Sequence, residues 1–162
     1  MTDTNEEPFV QVDIDAPASR VWEILADVRH WKDVISGIDD IMFEDENDTE
    51  LKPGLKWDET RIMFGRSEKQ RIEIAEVDTE NYSMKSKNES CGTLMEFRHQ
   101  VVPLSSSAEG KEGRSVLKLY FTSAPLTWMA WSFQWMAVLT RGMVRKQMLQ
   151  DLIDIKNAAE KP

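Results

Sequence analysis

The residues able to do chemistry in this sequence are few and scattered. Two histidines, His30 and His99, one cysteine, Cys91, and a close charged pair, Glu59 and Arg61, are the groups that could hold a metal, attack a carbonyl or move a proton. A structural zinc site wants four ligands, usually Cys and His at short spacings. That supply is absent, so no metal is expected. No G-x-S-x-G, Walker A or dinucleotide glycine motif occurs, and no cofactor is expected. Cys91 precedes Gly92 between two strand-like segments and reads as a turn residue rather than a nucleophile. His30 falls between two short helical segments and reads as a solvated or capping residue.

Two features are richer. Trp57, Glu59, Arg61 and Met63 share one face of a strand, because side chains alternate. Pointing inward, Glu59 and Arg61 would be a charged pair in an apolar cavity, costly to bury and able to orient a polar ligand head. Pointing outward, they would leave Ile62 and Phe64 inside and form a weak surface salt bridge. His99 shares the apolar face of its strand with Met95 and Phe97. Facing a ligand, it can donate to a carbonyl or serve as a general acid–base near neutral pH, and it is the candidate catalytic residue. The plainer alternative is a core histidine satisfied by backbone or water. Tyr82 is a further candidate hydroxyl handle.

These residues need elements to place them. Alternation of Val10, Val12 and Ile14 with polar neighbours predicts a half-buried strand over 9–14. Pro17 suits the first turn of a helix carrying Val21, Trp22, Leu25 and Val28, with Asp15 or Ala16 as its cap and Asp15 the chemically better candidate. A second short helix is expected over 30–35, stopping before Gly37. Strands are then expected over 38–43, 55–64 (entered through a Pro53-Gly54 turn), 70–77, 82–88, 93–102 and 114–122. An acidic turn at 44–50 and a small, polar loop at 105–113 read as hairpin connections. One very long helix is expected over about 127–159. Strand, two short helices, further strands and a long helix make an α+β plan with antiparallel pairing. A lone sheet and a lone long helix bury both apolar faces only by packing together. If the sheet curves around the helix, the space between becomes a pocket.

The long helix carries two stripes. Met129, Phe133, Met136, Thr140, Val144, Met148 and Ile155 form one that should face the sheet as a soft methionine-rich wall. Trp128, Trp131 and Trp135, flanked by Val138 and Leu139, form a second in the first half only. Three tryptophans, each able to bury about 150–250 Å², approach or exceed the roughly 300–600 Å² apolar patch a monomer usually tolerates. Their cover has three candidates: the small N-terminal helices and loops, a twin subunit making a homodimer, or a lipid or protein partner.

The 162 residues suggest one domain over 8–160 behind a short disordered lead at 1–7. The net charge of −9 argues against nucleic acid and anionic membranes as main partners. The polar, acidic N-terminus is not a signal peptide. With one cysteine no internal disulfide forms, which fits a cytoplasmic protein. The most apolar run, residues 124–139, contains polar positions and falls short of the roughly 20 apolar residues of a spanning helix, so no transmembrane segment is expected.

Read together, VDIDAPASRVWEILADVRHW, GLKWDETRIMFGR and LQDLIDIKNAAE resemble the START-like helix-grip (SRPBCC) superfamily, and within it the polyketide cyclase/dehydrase and lipid transport branch. The resemblance rests on Ala16-Pro17, Val21-Trp22, Asp27 and Trp31, and on Asp151, Leu152 and Lys156 in the last helix. It implies a helix-grip fold: a curved antiparallel sheet of about seven strands around a long C-terminal helix, with an elongated apolar cavity between. The expected lining is Trp57, Glu59, Arg61, Met95, Phe97, His99, Leu119, Phe121, Phe133, Met136 and Thr140. The resemblance implies a carrier or sensor of a hydrophobic small molecule, such as a lipid, polyketide or isoprenoid-like compound, favoured over an enzyme because no catalytic set assembles. Two alternatives stay open: a cyclase or dehydratase using His99 or the Glu59–Arg61 pair, and a protein-interaction module using Trp128, Trp131 and Trp135. Ligand identity and the inward face of the 55–64 strand are not decided by sequence.

Overall fold

The computed structural model describes residues 8–63, 65–104 and 113–162, and of Ala137 the backbone alone. The predicted lead at 1–7, Phe64 at the end of a predicted strand and positions 105–112 of the predicted polar loop lie outside the described residues.

The chain runs β1 (Val10–Ile14), α1 (Ala18–Ala26), a 3-10 turn (Val28–His30), α2 (Trp31–Val34), β2 (Ile38–Phe43), β3 (Lys56–Met63), β4 (Arg66–Asp78), β5 (Ser83–Ser90), β6 (Thr93–Leu104), β7 (Arg114–Pro125), α3 (Trp128–Ser132) and α4 (Gln134–Ala159). The strands form a 7-stranded sheet in the order β1-β7-β6-β5-β4-β3-β2. Every neighbour is antiparallel. Short hairpins force sequential strands side by side, and β1 closes onto β7. The registers align the predicted apolar positions across strands. Leu119 lies opposite His99 and Val10, Phe121 opposite Phe97, and Leu117 opposite Val101 and Val12. One face of the sheet is therefore continuously apolar over its β1-β7-β6 side.

Local chemistry explains the punctuation. Cys91 and Gly92 both have positive φ (51° and 71°) and make the tight turn between β5 and β6. A Cβ on Gly92 would stand 2.8 Å from the Thr127 hydroxyl, so this glycine lets the hairpin tip abut the start of α3. The Leu126 amide donates to the Gly92 carbonyl there at 2.7 Å. At the other end of the chain, Pro17 is the N-cap of α1 and no side chain caps that helix. The Asp15 carboxylate instead accepts from Arg114 Nε at 2.9 Å, which corrects its expected capping role.

The long helix departs from expectation. It breaks at Phe133 (φ −97°, ψ 7°), between α3 and α4. Only its far half is seated: Met148, Leu152, Ile155 and Ala159 are buried against Val21, Trp22, Leu25 and Trp31 and the sheet residues Ile14, Trp57, Ile74, Met84 and Leu117. Val144 is half-buried, whereas Met129, Phe133 and Met136 are exposed, so the sheet-facing stripe holds for half the helix and fails for the rest. The second stripe is uncovered as well, with Trp128, Trp131 and Trp135 79%, 69% and 62% exposed. Among the described residues, cover by the chain's own elements is thereby overturned. The short helices α1 and α2 pack at the α4 end of the grip, and they are too short to reach the other.

This division predicts unequal sensitivity along one helix. Leu152→Ala, at a fully buried position, should cost about 2–5 kcal/mol. Met136→Ala, at an exposed one, should stay within about 0.5 kcal/mol. Urea denaturation of both variants checks this; equal losses would mean that the first half is seated too.

Candidate functional site

The concave face is built from alternate residues of β3 to β7. On β3, Trp57 and Glu59 are buried and Arg61 is nearly so, while Ile62 is exposed. The inward alternative is therefore the correct one, and the outward placement with Ile62 inside is excluded. Arg61 is held at both ends. Its Nε donates to Glu59 Oε1 at 2.8 Å, and its Nη1 donates to Asp151 Oδ2 on α4 at 2.6 Å. Trp57 Nε1 donates to the other Glu59 oxygen at 3.3 Å.

One guanidinium thus serves two carboxylates and ties β3 to the seated half of α4. Burial works against the Arg61 charge, yet Asp151 and Glu59 outweigh it and hold the guanidinium above its ordinary pKa. Burial raises the Asp151 carboxyl above its ordinary pKa, with the Glu59 and Asp154 charges adding to it against the pull of Arg61. Two guanidinium nitrogens are spent inside the cluster, so it braces the fold before it can offer a charge to a ligand.

His99 faces inward from β6, opposite Met84 on β5 and Leu119 on β7. Its ring lies 6.3 Å from that of Trp31. Its Nδ1 is buried with no hydrogen-bond partner. Burial, with the Arg61 charge adding to it, pushes its pKa down to about 4. At neutral pH the imidazole is uncharged and a poor general acid, and among the described residues no carboxylate is hydrogen-bonded to its Nδ1. His30, by contrast, is exposed and pairs with Asp27 at 2.7 Å, as a solvated turn residue would.

Sequence reading missed the polar member of the next strand. Asn88 on β5 is 3% exposed. Its Nδ2 donates to Gln70 Oε1 on β4 at 2.6 Å, while its Oδ1 is buried without a partner. Ser86 beside it is buried too. The signal lay in the alternation of Met84, Ser86 and Asn88, which mixes one apolar with two polar inward positions and so reads as a weak strand.

The remaining predicted lining separates into two groups. Met95, Phe97 and Phe121 are half-buried and Leu119 is buried. Their rings form a string, with Phe97 to Phe121 at 5.2 Å and Phe121 to Phe9 at 5.5 Å. Phe133 and Met136 stand exposed on the unseated helix, and Thr140 between the two halves donates its hydroxyl to the Met136 carbonyl at 3.2 Å. The elongated apolar cavity expected between sheet and helix is therefore not enclosed by the helix, and the half-buried sheet residues line an open trough. The end beyond His99 is filled by Val101, Leu117 and Ile14; at the other end Met95 is only half-buried, while Asn88 opposite it is buried.

Two other concavities lie elsewhere. One of about 950 Å³ sits on the outer face, among Glu76, Asp78, Lys85 and Arg98. Its mixed charges do not suit an apolar guest. One of about 520 Å³ lies beside the Arg61 cluster, between Ile62, Met143, Gln147 and Asp151.

No family model matches the sequence, and no curated protein matches it. Solved structures do match. Truncated norcoclaurine synthase from Thalictrum flavum superposes with a TM-score of 0.69 at 14% identity, over 94% of this chain and 92% of that one. The Zhui aromatase/cyclase from Streptomyces sp. R1128 gives 0.69 at 16% identity, over 93% and 91%. TTHA0849 from Thermus thermophilus gives 0.62 at 19% identity, over 93% and 94%. The chain has the helix-grip fold of these proteins.

Two variants test the site's electrostatics. Arg61→Met strands two buried carboxylates and should cost about 3–5 kcal/mol; a loss below about 1 kcal/mol in urea melts would show the cluster to be solvated. His99 binds protons more readily in the unfolded chain, so its contribution falls as pH drops from 6.5 to about 4. It should remove about 3 kcal/mol when fully protonated. His99→Gln should therefore flatten the pH dependence of stability in that window relative to wild type, and parallel curves would contradict the shifted histidine.

Proposed function

We propose that the protein is a non-enzymatic binder of a hydrophobic small molecule, held in the trough between the inner sheet face and the unseated half of the terminal helix. The observation that supports this best is the pairing of half-buried Met95, Phe97 and Phe121 with two buried polar atoms lacking partners, Asn88 Oδ1 and His99 Nδ1. A buried acceptor without a donor costs roughly 1–3 kcal/mol, a penalty that a guest bearing a hydroxyl or amide N–H removes. The two atoms flank the Phe97 position, about 13 Å apart along the strands. The guest so described is elongated and apolar, with polar hydrogens toward its ends. A lipid, polyketide or isoprenoid alcohol fits that description. Trp57, Glu59 and Arg61 lie at the trough's far wall and act on the guest through shape and field rather than direct pairing. The lone exposed Cys91 suits a reducing, cytoplasmic setting.

A cyclase or dehydratase reading draws on one observation: the neutral His99 imidazole faces the trough and can accept a proton. The neighbour Zhui is an aromatase/cyclase by name. Against that reading, no second group lies hydrogen-bonded to His99 Nδ1 to complete a relay. Turnover of a polyketide-like substrate that vanishes in His99→Ala would favour the enzyme.

The binder reading is tested by mass spectrometry of organic extracts from natively purified protein. A hydroxylated apolar compound should be present, and adding it back should raise the melting temperature by several degrees at saturation. Asn88→Leu should fold yet bind it at least tenfold more weakly, one lost hydrogen bond being about 1.4 kcal/mol or more. Clean extracts together with no thermal shift across a broad lipid panel would refute the proposal.

A further inference from the structure

No Asp, Glu, Lys or Arg occurs between residues 124 and 140. Among the described residues, most of the helical part of this uncharged stretch is exposed, with Ala130 and Thr140 half-buried. Trp128, Trp131, Trp135 and Leu139 are exposed on one face. Met129, Phe133, Met136 and Met143 are exposed on another, more than about 90° around the helix. A helix apolar all round belongs in a core or in lipid, and no core receives this one. The helical part, Trp128 to Thr140, is about 20 Å long. That is too short to cross a bilayer's roughly 30 Å hydrocarbon layer, and no helix of the described residues is long and apolar enough to cross a membrane.

The hydroxyls of this stretch, though not the exposed amide of Gln134, bond to the helix's own backbone. The Thr127 hydroxyl accepts from the Ala130 amide at 3.1 Å. Ser132 donates to the Met129 carbonyl at 2.7 Å, and Thr140 to that of Met136 at 3.2 Å. Each hydroxyl is turned onto the helix's own backbone, as hydrocarbon demands. Charge then returns abruptly, with the exposed cations Arg141, Arg145 and Lys146 following the apolar stretch within two turns, the first two lying 5.4 and 5.9 Å over the Phe9 ring. Apolar residues and tryptophans ending in a basic band complement a leaflet with its acyl interior, its interface and its phosphates.

From these features we propose that α3 and the first half of α4 dock into one leaflet of a zwitterionic membrane. Tryptophans seat at the headgroup level, and Arg141, Arg145 and Lys146 meet the phosphates. A second copy of the chain explains the exposure less well. A two-fold interface presents one patch to its equivalent, whereas both stripes are bare here and a fluid leaflet wets both. The chain's net charge of −9 sets the lipid class, since an anionic surface would repel the rest of the molecule. The inserted stretch borders the open end of the trough. The docking itself stands independently of the ligand reading, because vesicle binding is measured without any guest.

Extruded phosphatidylcholine vesicles provide the test. The full chain should co-sediment with them. Its tryptophan emission should shift to the blue and be quenched by brominated acyl chains, since Trp22, Trp31 and Trp57 are already buried and supply a constant background. The double variant Trp131→Glu, Trp135→Glu should bind vesicles at least tenfold less while keeping its melting temperature, because both side chains are exposed. Unchanged emission without co-sedimentation would overturn the proposal, as would undiminished vesicle binding by the double variant. A concentration-dependent dimer in buffer, abolished by the same pair and accompanied by no vesicle binding, would assign the face to a homodimer instead.

Discussion

The concave face of the sheet carries apolar side chains along its β1-β7-β6 side, and the chain covers them from one end only. The seated half of α4, with α1 and α2, closes over Ile14, Trp57, Ile74, Met84 and Leu117. Burying such side chains contributes roughly 25 cal/mol per Å² of apolar surface, and this end is where that area is removed from water. Beyond Val144 toward the N-terminus the apolar side chains of α4 are exposed, although Arg141 still lies over the Phe9 ring at 5.4 Å. The trough, the bare tryptophans and the break at Phe133 all lie on the uncovered side of that boundary. One mismatch between sheet area and helix cover thus separates a stable end from a receptive one.

The Arg61 cluster sits at the boundary and keeps it in place. A buried guanidinium needs its carboxylates, and Asp151 reaches it only if α4 keeps its rotation and height over β3. Replacing such a cluster with apolar residues can be neutral or even favourable, so its presence points to registration more than to raw stability. Lys156 adds a second tether, donating to the Asp13 carbonyl on β1 at 2.6 Å. Asp151 and Lys156, recognisable in the sequence only as parts of a terminal motif, tie the helix to β3 and to the edge strand β1, on opposite sides of the sheet. Burial is the main reason His99 stays uncharged, and the Arg61 charge adds to it.

Much of the fold was legible because its signals are local. Alternation in Val10, Val12 and Ile14, in Met95, Phe97 and His99, and in Leu117, Leu119 and Phe121 marks strands whichever partners they find. The Cys91-Gly92 turn was visible for the same reason. Asn88 and Gln70 were not legible. Polar residues at inward positions weaken the alternation that reveals a strand, and only the register of β4 against β5 brings them together. Asp15 shows the converse failure. Its chemistry suits a cap, but Arg114, close in space and distant in sequence, takes the carboxylate first.

The amino-acid sequence by itself determined the α+β plan, the element order, the inner-facing set of β6 and β7 and the existence of two apolar helix stripes, because periodicity is a property of neighbouring residues. Tertiary structure alone decided which face of β3 points inward, that Arg61 shares its charge between Glu59 and Asp151, and that only half of the terminal helix is seated. Those outcomes depend on how much surface the short helices can reach and on which charges meet across strands. No spacing along the chain encodes either quantity.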